Sequence, residues 1–314
     1  MPAHLCIQKA GLGLPDPQNP IVDLFAAETA AELSTVVYLL GDRLNTISPF
    51  ITERVHLESE RCIFNPLLAQ NFMWMGLPGA KRRDDLPCDA TPVGEVQPVN
   101  NWDARICWSW LTTALLLDRD AARQTAGVQK AMVCLDNFIN TYPDDGGCEK
   151  GCSHWNRAPG SMLDALELLG CATNGRAGIW NEPPLRRMGK FIVKARIAND
   201  LFVNSGDAHI KQVLDRDLLF RYGKHVGSPL MVALATGDLP ESYVPVTLSA
   251  IFGEAALRAE PRRPSPLLKD VWLPARKKTA PRGFIWPASY RITARVTAIT
   301  TQATSGRSWT ASRF

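Results

Sequence analysis

Apolar residues recur three or four positions apart along most of the chain up to residue 258, which is the spacing of amphipathic helices. The first such segment covers residues 21–44, with Val22, Phe25, Leu33 and Leu40 on one face. The same pattern predicts further helices over residues 52–68, 106–117, 121–142, 161–169, 185–198, 210–222, 229–234 and 246–258. Because the period-two alternation of strands is absent from these segments, the sequence predicts a mainly α-helical protein.

The turns between the predicted helices are short, which favours antiparallel packing of consecutive helices. Hairpins of this kind can close into a ring, the α/α toroid, whose funnel is lined by loops and helix ends. We therefore expect an incomplete α/α toroid of antiparallel helix hairpins over residues 20–260, preceded by an extension over residues 1–19. Residues 75–99 are rich in proline, glycine and charge, and we expect them to form a surface loop at one wall of a cleft.

The composition is that of a folded protein, with 46% hydrophobic and 21% charged residues among 314. No apolar run approaches the ~20 residues that span a bilayer, so we expect no membrane association. The first twenty residues contain Lys9 as their one Lys or Arg, and Pro15, Pro17 and Pro20 break any apolar core, unlike a secretory signal. The eight cysteines follow no disulfide framework and are expected to be reduced, which favours the cytoplasm.

The segment YPDDGGCEKGCSHWNR, residues 142–157, concentrates polar chemistry in one stretch. Its Asp-Asp-Gly-Gly sequence at residues 144–147 predicts a tight polar turn. The residues that follow include two cations, an acid, a histidine and a tryptophan: Glu149, Lys150, His154, Trp155 and Arg157. A solvated loop with a helix cap is one interpretation. An aromatic ring among basic groups also suits stacking on a sugar while cations hold its acid groups.

Three segments resemble the heparinase II/III family of polysaccharide lyases in their order and spacing. They read NNWDARICWSWLTTALLL at residues 100–117, DNFINTYPDDGGCEKGCSHWNRAPGSMLDALELL at 136–169 and SPLLKDVWLP at 265–274. With the upstream helix pair that ends in NFMWMG, the likeness covers roughly residues 20–274. It implies a helical toroid followed by an antiparallel β-sandwich, and β-elimination of a uronic-acid-containing glycan without a metal or organic cofactor.

The resemblance also implies roles for individual residues. In the family an Asn neutralises the substrate carboxylate, and a Tyr usually acts as base and proton donor. Asn101 matches that Asn and His154 stands in the column of that Tyr, so both are predicted to be catalytic, although an Asn before a Trp is also a common helix cap. The predicted substrate-binding residues are Asn100, Trp102, Glu149, Lys150, Trp155 and Arg157, and no metal ligand is predicted.

This chain departs from the family pattern inside the second segment. Lys150 replaces an acid, Cys152 a Pro, His154 the Tyr and Asn156 a Gly. A histidine can act as a base near neutral pH, but its ring is shorter than a phenol, and a misplacement of ~1 Å can cost about 10²-fold in rate. We therefore expect impaired turnover, and two other functions stay open: a non-catalytic carbohydrate-binding relic and a glycoside hydrolase of the same helical shape.

Two further interpretations of the segment are less favoured. Cys148, Cys152 and His154 offer three zinc ligands, but a fourth is missing and the paired spacing of structural zinc sites is absent. Asp144 and Asp145 could serve as glycosidase carboxylates, but adjacent residues usually point apart, so capping of the turn is the better interpretation.

Residues 261–314 carry eleven Lys and Arg but one acid, which gives this segment a net charge of +10 and residues 1–260 a net charge of −6. The histidine-rich stretch of the family's β-sandwich is missing from it. One hypothesis is a shift of reading frame between about residues 273 and 283, which leaves a short irregular tail in place of the sandwich and a remnant of its start at residues 265–274. The competing hypothesis, a basic arm for nucleic acid, lacks aromatic or glycine patterning, so we expect an acidic polysaccharide and no nucleic acid as partner. The oligomeric state is not indicated by the sequence.

Overall fold

The computed structural model describes residues 20–77 and 101–237. Within these residues the protein is mainly α-helical, which confirms the predicted fold class at that level, while closure into a toroid stays a prediction. The extension over residues 1–19, most of the loop over 75–99, the helix over 246–258 and the tail over 261–314 lie outside the described residues.

The helices begin and end close to the predicted positions. They are α1 (Leu24–Ile47), α2 (Pro49–Ser59), α3 (Asn65–Ala69), α4 (Asn101–Leu117), α5 (Ala121–Thr141), α6 (Pro159–Ala172), α7 (Pro183–Lys194), α8 (Arg216–His225) and α9 (Pro229–Thr236). A π-helical turn, Glu60–Phe64, joins α2 to α3, and single 3₁₀ turns occupy Met73–Met75 and Cys152–His154. Two short strands, β1 (Arg196–Ala198) and β2 (Leu201–Phe202), pair antiparallel.

Side-chain caps explain several helix starts. Asp23 accepts a hydrogen bond from the Ala26 N–H at 2.8 Å and so begins α1. Asp215 does the same for α8 by accepting from Leu218 N–H at 3.0 Å. Ser228 caps α9, where Pro229 at the first helical position needs no hydrogen-bond acceptor. These caps satisfy backbone groups that a helix leaves unpaired at its start.

The described residues fall into two compact units, residues 20–77 with 101–138 (the first unit) and residues 139–237 (the second unit). The boundary falls inside the single domain expected over residues 20–260, and the extent of that domain stays a prediction.

In the first unit, α1 packs along α4. The contacting face of α1 is built from small buried residues, Ala26, Ala27, Ala30 and Ala31. A 2.9 Å ion pair between Arg105 and Glu28 joins the two helices, and it is largely shielded from solvent. Helix α5 contacts α4 through Gln124, whose side chain donates to the Ala114 carbonyl at 2.8 Å. As a result α4 is buried along nearly its whole length and forms the centre of this unit.

In the second unit, α6 packs against α7 and α8, and α8 packs against α9. Tyr222 is fully buried and donates its hydroxyl to the Leu185 carbonyl at 2.9 Å, which ties α8 to α7. Arg221, also on α8, contacts three carboxylates, those of Asp164, Glu167 and Asp217. Its guanidinium therefore links α8 to α6 inside a largely dry region.

Two predicted helices are wrong at one end. The helix predicted over residues 185–198 ends at Lys194, and the chain then forms strand β1. The helix predicted from residue 210 begins at Arg216, after the Asp215 cap. Between the strands Asn199 adopts a positive φ of 46°, a conformation that Asn tolerates better than most residues, and this turn makes the hairpin possible.

Helix α1 is long and apolar enough to cross a membrane by length and composition alone. A core helix of a soluble protein passes the same test, so this property carries little weight. The length and apolar composition of α1 differ from the expectation that no segment approaches a membrane span.

Candidate functional site

The segment between α5 and α6, residues 144–157, is called the histidine loop here. Its start is the predicted tight turn: Gly146 N–H donates to the Pro143 carbonyl at 2.9 Å, and Gly146 has a positive φ of 76°. Asp145 accepts from Gly147 N–H at 2.8 Å, which is the predicted capping role. Asp144 instead extends into solvent, with its side chain 93% exposed. The two aspartates thus point apart, as expected for adjacent residues in a turn.

Residues 205–209, called the facing loop here, lie directly against the histidine loop. Asp207 N–H donates to the Lys150 carbonyl at 3.1 Å, and His209 N–H donates to the Ser153 hydroxyl at 3.3 Å. Gly151 has a φ of 80° and a ψ of −174°, and a Cβ there would lie 2.0 Å from the Ser205 carbonyl oxygen. Only glycine fits this close approach of two backbones.

His154 lies in the 3₁₀ turn and is partly buried, with 30% of its side chain exposed. Burial lowers the pKa of His154 below its ordinary range, and the cations of Lys150 and Arg157 lower it further, while Asp207 opposes them. The Nδ1 atom is buried and makes no hydrogen bond with the described residues. A neutral imidazole with Nε2 as its available nitrogen is therefore the form expected near pH 7.

The charges around this imidazole are paired across the two loops. Lys150 Nζ lies 3.0 Å from Asp207 Oδ2, and both side chains are about half exposed. The hydrogen bond from Lys150 holds the pKa of Asp207 below its ordinary value. Glu149 and Arg157 are exposed on the same loop. Asp207 was missed from the sequence because it stands more than fifty residues away and matches no part of the quoted pattern.

Trp155 does not lie where the sequence analysis expects it. The side chain is 0% exposed, its Nε1–H donates to the Met188 carbonyl at 3.0 Å, and its ring packs 5.5 Å from that of Tyr222. A ring enclosed in this way offers no face to a sugar, so the predicted substrate-binding role of Trp155 is wrong. The physical reason is that the ring anchors the histidine loop to α7 and α8, where its burial stabilises the fold.

Two of the remaining predicted residues, Asn101 and Trp102, belong to the first unit. Asn101 is the first residue of α4 and is partly exposed, as is Trp102 beside it. Asn100 lies outside the described residues. Because Asn101 belongs to the first unit and His154 to the second, their meeting across one groove stays a prediction.

The cysteines of the histidine loop are buried thiols. Burial raises the pKa of Cys148 to about 11 and that of Cys152 to about 12, so both are protonated near pH 7. The structure does not bring Cys148, Cys152 and His154 together as a metal-binding group. Among the described residues, the group with three ligating atoms within 4.8 Å of one another is Asp103, Cys107 and Cys134. All six cysteines in residues 20–77 and 101–237 are free of disulfides, as predicted for them.

No family model matches the chain, and a search of curated proteins finds no match to it.

Proposed function

We propose that this protein acts on a uronic-acid-containing glycan by β-elimination, with His154 as the base and with turnover weakened by the replacement of the family's tyrosine. The proposal joins the resemblance of three sequence segments to one structural observation. That observation is a partly buried imidazole whose pKa is lowered by its burial and by two exposed cations, Lys150 and Arg157.

The chemistry needs both kinds of group. The base removes the proton from the carbon beside the uronate carboxylate, the bond from the neighbouring carbon to the glycosidic oxygen breaks, and a double bond forms between the two carbons. Negative charge grows on the carboxylate as the proton leaves, so cations or amides beside it stabilise the transition state. In the proposal, Arg157 and Lys150 bind the carboxylate, and Asn101 has the role that the sequence resemblance implies for it.

A neutral base is required because a protonated imidazole cannot accept the proton. The lowered pKa of His154 keeps it neutral at pH 7, and general base catalysis of this sort contributes about 10²–10⁴-fold in rate. The two neighbouring cations that lower this pKa are also the groups suited to binding an acidic sugar. This double use of the same charges supports the proposal.

The experiment is incubation of the purified chain with heparan, hyaluronan, alginate and pectic fragments while ultraviolet absorbance is recorded. β-Elimination creates an unsaturated sugar that absorbs, whereas hydrolysis creates new reducing ends without that absorbance. We expect weak absorbance with one of these glycans and its loss in His154→Ala and Asn101→Ala. His56→Ala changes a partly buried histidine of α2 and serves as the matched control.

A second candidate is a glycan-binding protein without turnover, and one observation favours it. Lys150 is already paired with Asp207, and Asp144, Asp145 and Glu149 add carboxylates to the same region. Because Asp207 already holds Lys150, this cation is less able to stabilise the negative charge that grows on a uronate carboxylate during elimination, which disfavours turnover. Binding of a glycan without any new absorbance or reducing ends would establish this second function, and new reducing ends alone would establish a hydrolase.

A further inference from the structure

Three ligating side chains meet in the interior of the first unit, away from the histidine loop in sequence. Asp103 and Cys107 lie one turn apart on α4, and Cys134 reaches them from α5. Their ligating atoms all lie within 4.8 Å of one another, and each of the three residues is 0% exposed. The Cys107 sulfur is 3.7 Å from Asp103 Oδ1.

The carboxyl group of Asp103 is not satisfied by its surroundings. Its Oδ1 accepts a weak hydrogen bond from the Cys107 thiol, but its buried Oδ2 has no hydrogen-bond partner among the described residues. An ionised carboxylate here is a buried charge without a counterion, and a protonated one is an O–H donor without an acceptor. Buried polar groups nearly always have a hydrogen-bond or metal partner, so the unpartnered Oδ2 of Asp103 indicates a ligand that binds here.

We propose that Asp103, Cys107 and Cys134 bind a thiophilic divalent cation of the Zn²⁺ type, which fastens α5 to α4. Tetrahedral zinc with sulfur at about 2.3 Å and oxygen at about 2.0 Å requires ligand atoms about 3.5 to 3.8 Å apart. The sulfur–oxygen distance of 3.7 Å already meets this requirement, and the 4.8 Å limit on the others leaves only small side-chain movements.

The identity of the donors selects the kind of metal. Two thiolates are soft ligands that favour zinc and related ions, whereas Mg²⁺ and Ca²⁺ are bound by oxygen atoms. The unpartnered Oδ2 of Asp103 supplies the fourth contact by bidentate coordination. Because all three residues are buried, the site is closed like a structural site rather than open like a catalytic one.

The charges balance as follows. Burial raises the pKa of Asp103 well above its ordinary value, so binding takes one proton from its carboxyl group as well as one from each thiol. All three protons go to the solvent, and two thiolates and one carboxylate then surround a doubly charged ion. The group then carries one excess negative charge. Lys130 lies one turn before Cys134 on α5 and is coupled electrostatically to it, while its ammonium group donates to the carbonyls of Leu67 and Gln70. This fixed cation offsets the excess charge.

The test uses the full chain, unfolded and refolded under reducing conditions with Zn²⁺ or with a chelator, since a closed site fills as the protein folds. After gel filtration we expect about one equivalent of zinc per chain by elemental analysis. Refolding with Co²⁺ should give the charge-transfer absorption of thiolate ligands.

Two variants and a control locate the ion. Cys134→Ser and Asp103→Asn should each lower Zn²⁺ affinity by at least about tenfold. Cys171→Ser changes a partly exposed cysteine outside the group and should keep the metal. A ligand variant can fail to fold, so the zinc content of the unaltered chain after refolding tests the proposal independently of the variants. No zinc retained after refolding, or full retention of zinc in Cys134→Ser, would overturn the proposal.

This inference does not depend on the proposed lyase function. Absence of glycan cleavage leaves the metal measurement unaffected, and absence of the metal leaves the cleavage assay unaffected.

Discussion

The carboxylate of Asp207 lies 3.8 Å from the Nε2 atom of His154, while the same oxygen is held by Lys150 at 3.0 Å. This separation is too long for a direct hydrogen bond to the imidazole but short enough for a strong electrostatic influence. Asp207 raises the pKa of His154, and Lys150 lowers it. The protonation of the proposed base thus depends on a residue of the facing loop.

Asp207→Asn should lower the pKa of His154, because it removes the negative charge that favours the imidazolium form. Titration of the imidazole by nuclear magnetic resonance measures the change. Asp144→Asn, at an exposed aspartate of the histidine loop, should leave the pKa of His154 unchanged. A rise in the Asp207→Asn variant would show that the contact between the two loops is misassigned.

Gly151→Ala should destabilise the protein by about 2 to 4 kcal/mol and separate the two loops. The new methyl group would lie 2.0 Å from the Ser205 carbonyl oxygen, and the φ of 80° is unfavourable for alanine. Gly170→Ala, near the end of α6 with open space around it, should change stability by no more than about 1 kcal/mol. Urea unfolding of both variants gives the comparison, and equal stabilities would contradict the close packing of the loops.

Arg221→Met should destabilise the protein by about 3 to 5 kcal/mol, since it removes the cation that the buried carboxylates of Asp164, Glu167 and Asp217 share. Arg186→Met, at an exposed arginine of α7, should cost less than about 1 kcal/mol. Chemical denaturation at pH 7 measures both. A small effect at Arg221 would mean that the carboxylates are satisfied by other groups.

Asp136→Asn should stabilise the protein at pH 8 more than at pH 4. Burial raises the pKa of Asp136 from an ordinary value of 3.8 to about 8, so the folded protein prefers the neutral carboxyl group. The contribution of the neutral Asp136 carboxyl group to stability is fully present below pH 3.8, the ordinary pKa, and is lost as the pH rises through about 8. The variant removes this loss, and thermal unfolding over that pH range should show a smaller decline than in the unaltered protein.

The comparison for this prediction is Asp120→Asn, at the exposed cap of α5. Hydrogen bonds from Arg123 and Ala122 N–H groups lower the pKa of Asp120, so its contribution is lost only as the pH falls below its ordinary value. Its variant should leave the decline toward pH 8 unchanged. If both variants changed the decline in stability toward pH 8 equally, Asp136 would not be the cause of that decline.

Local sequence determined the helices because their signals act over a few residues. Periodic apolar positions, the Asp23 and Ser228 caps and the Pro229 start are all local, and the structure places α1, α5 and α9 within a few residues of the predictions. The polar turn at residues 144–147 was predicted for the same reason, since Asp-Asp-Gly-Gly favours a turn in almost any context. The β-hairpin was not predicted because strands of two or three residues are too short to show a period-two alternation of apolar and polar residues.

Only the tertiary structure decided which polar and aromatic residues are exposed and which distant residues meet. Trp155 stands among charged residues in sequence, yet packing against Tyr222 buries its ring. Asp207 reaches the histidine loop, and Cys134 reaches Asp103, across long stretches of chain that no local pattern connects. The physical reason is that hydrophobic burial is non-directional and is resolved by the packing of whole helices, whereas capping and periodicity are set by near neighbours in the chain.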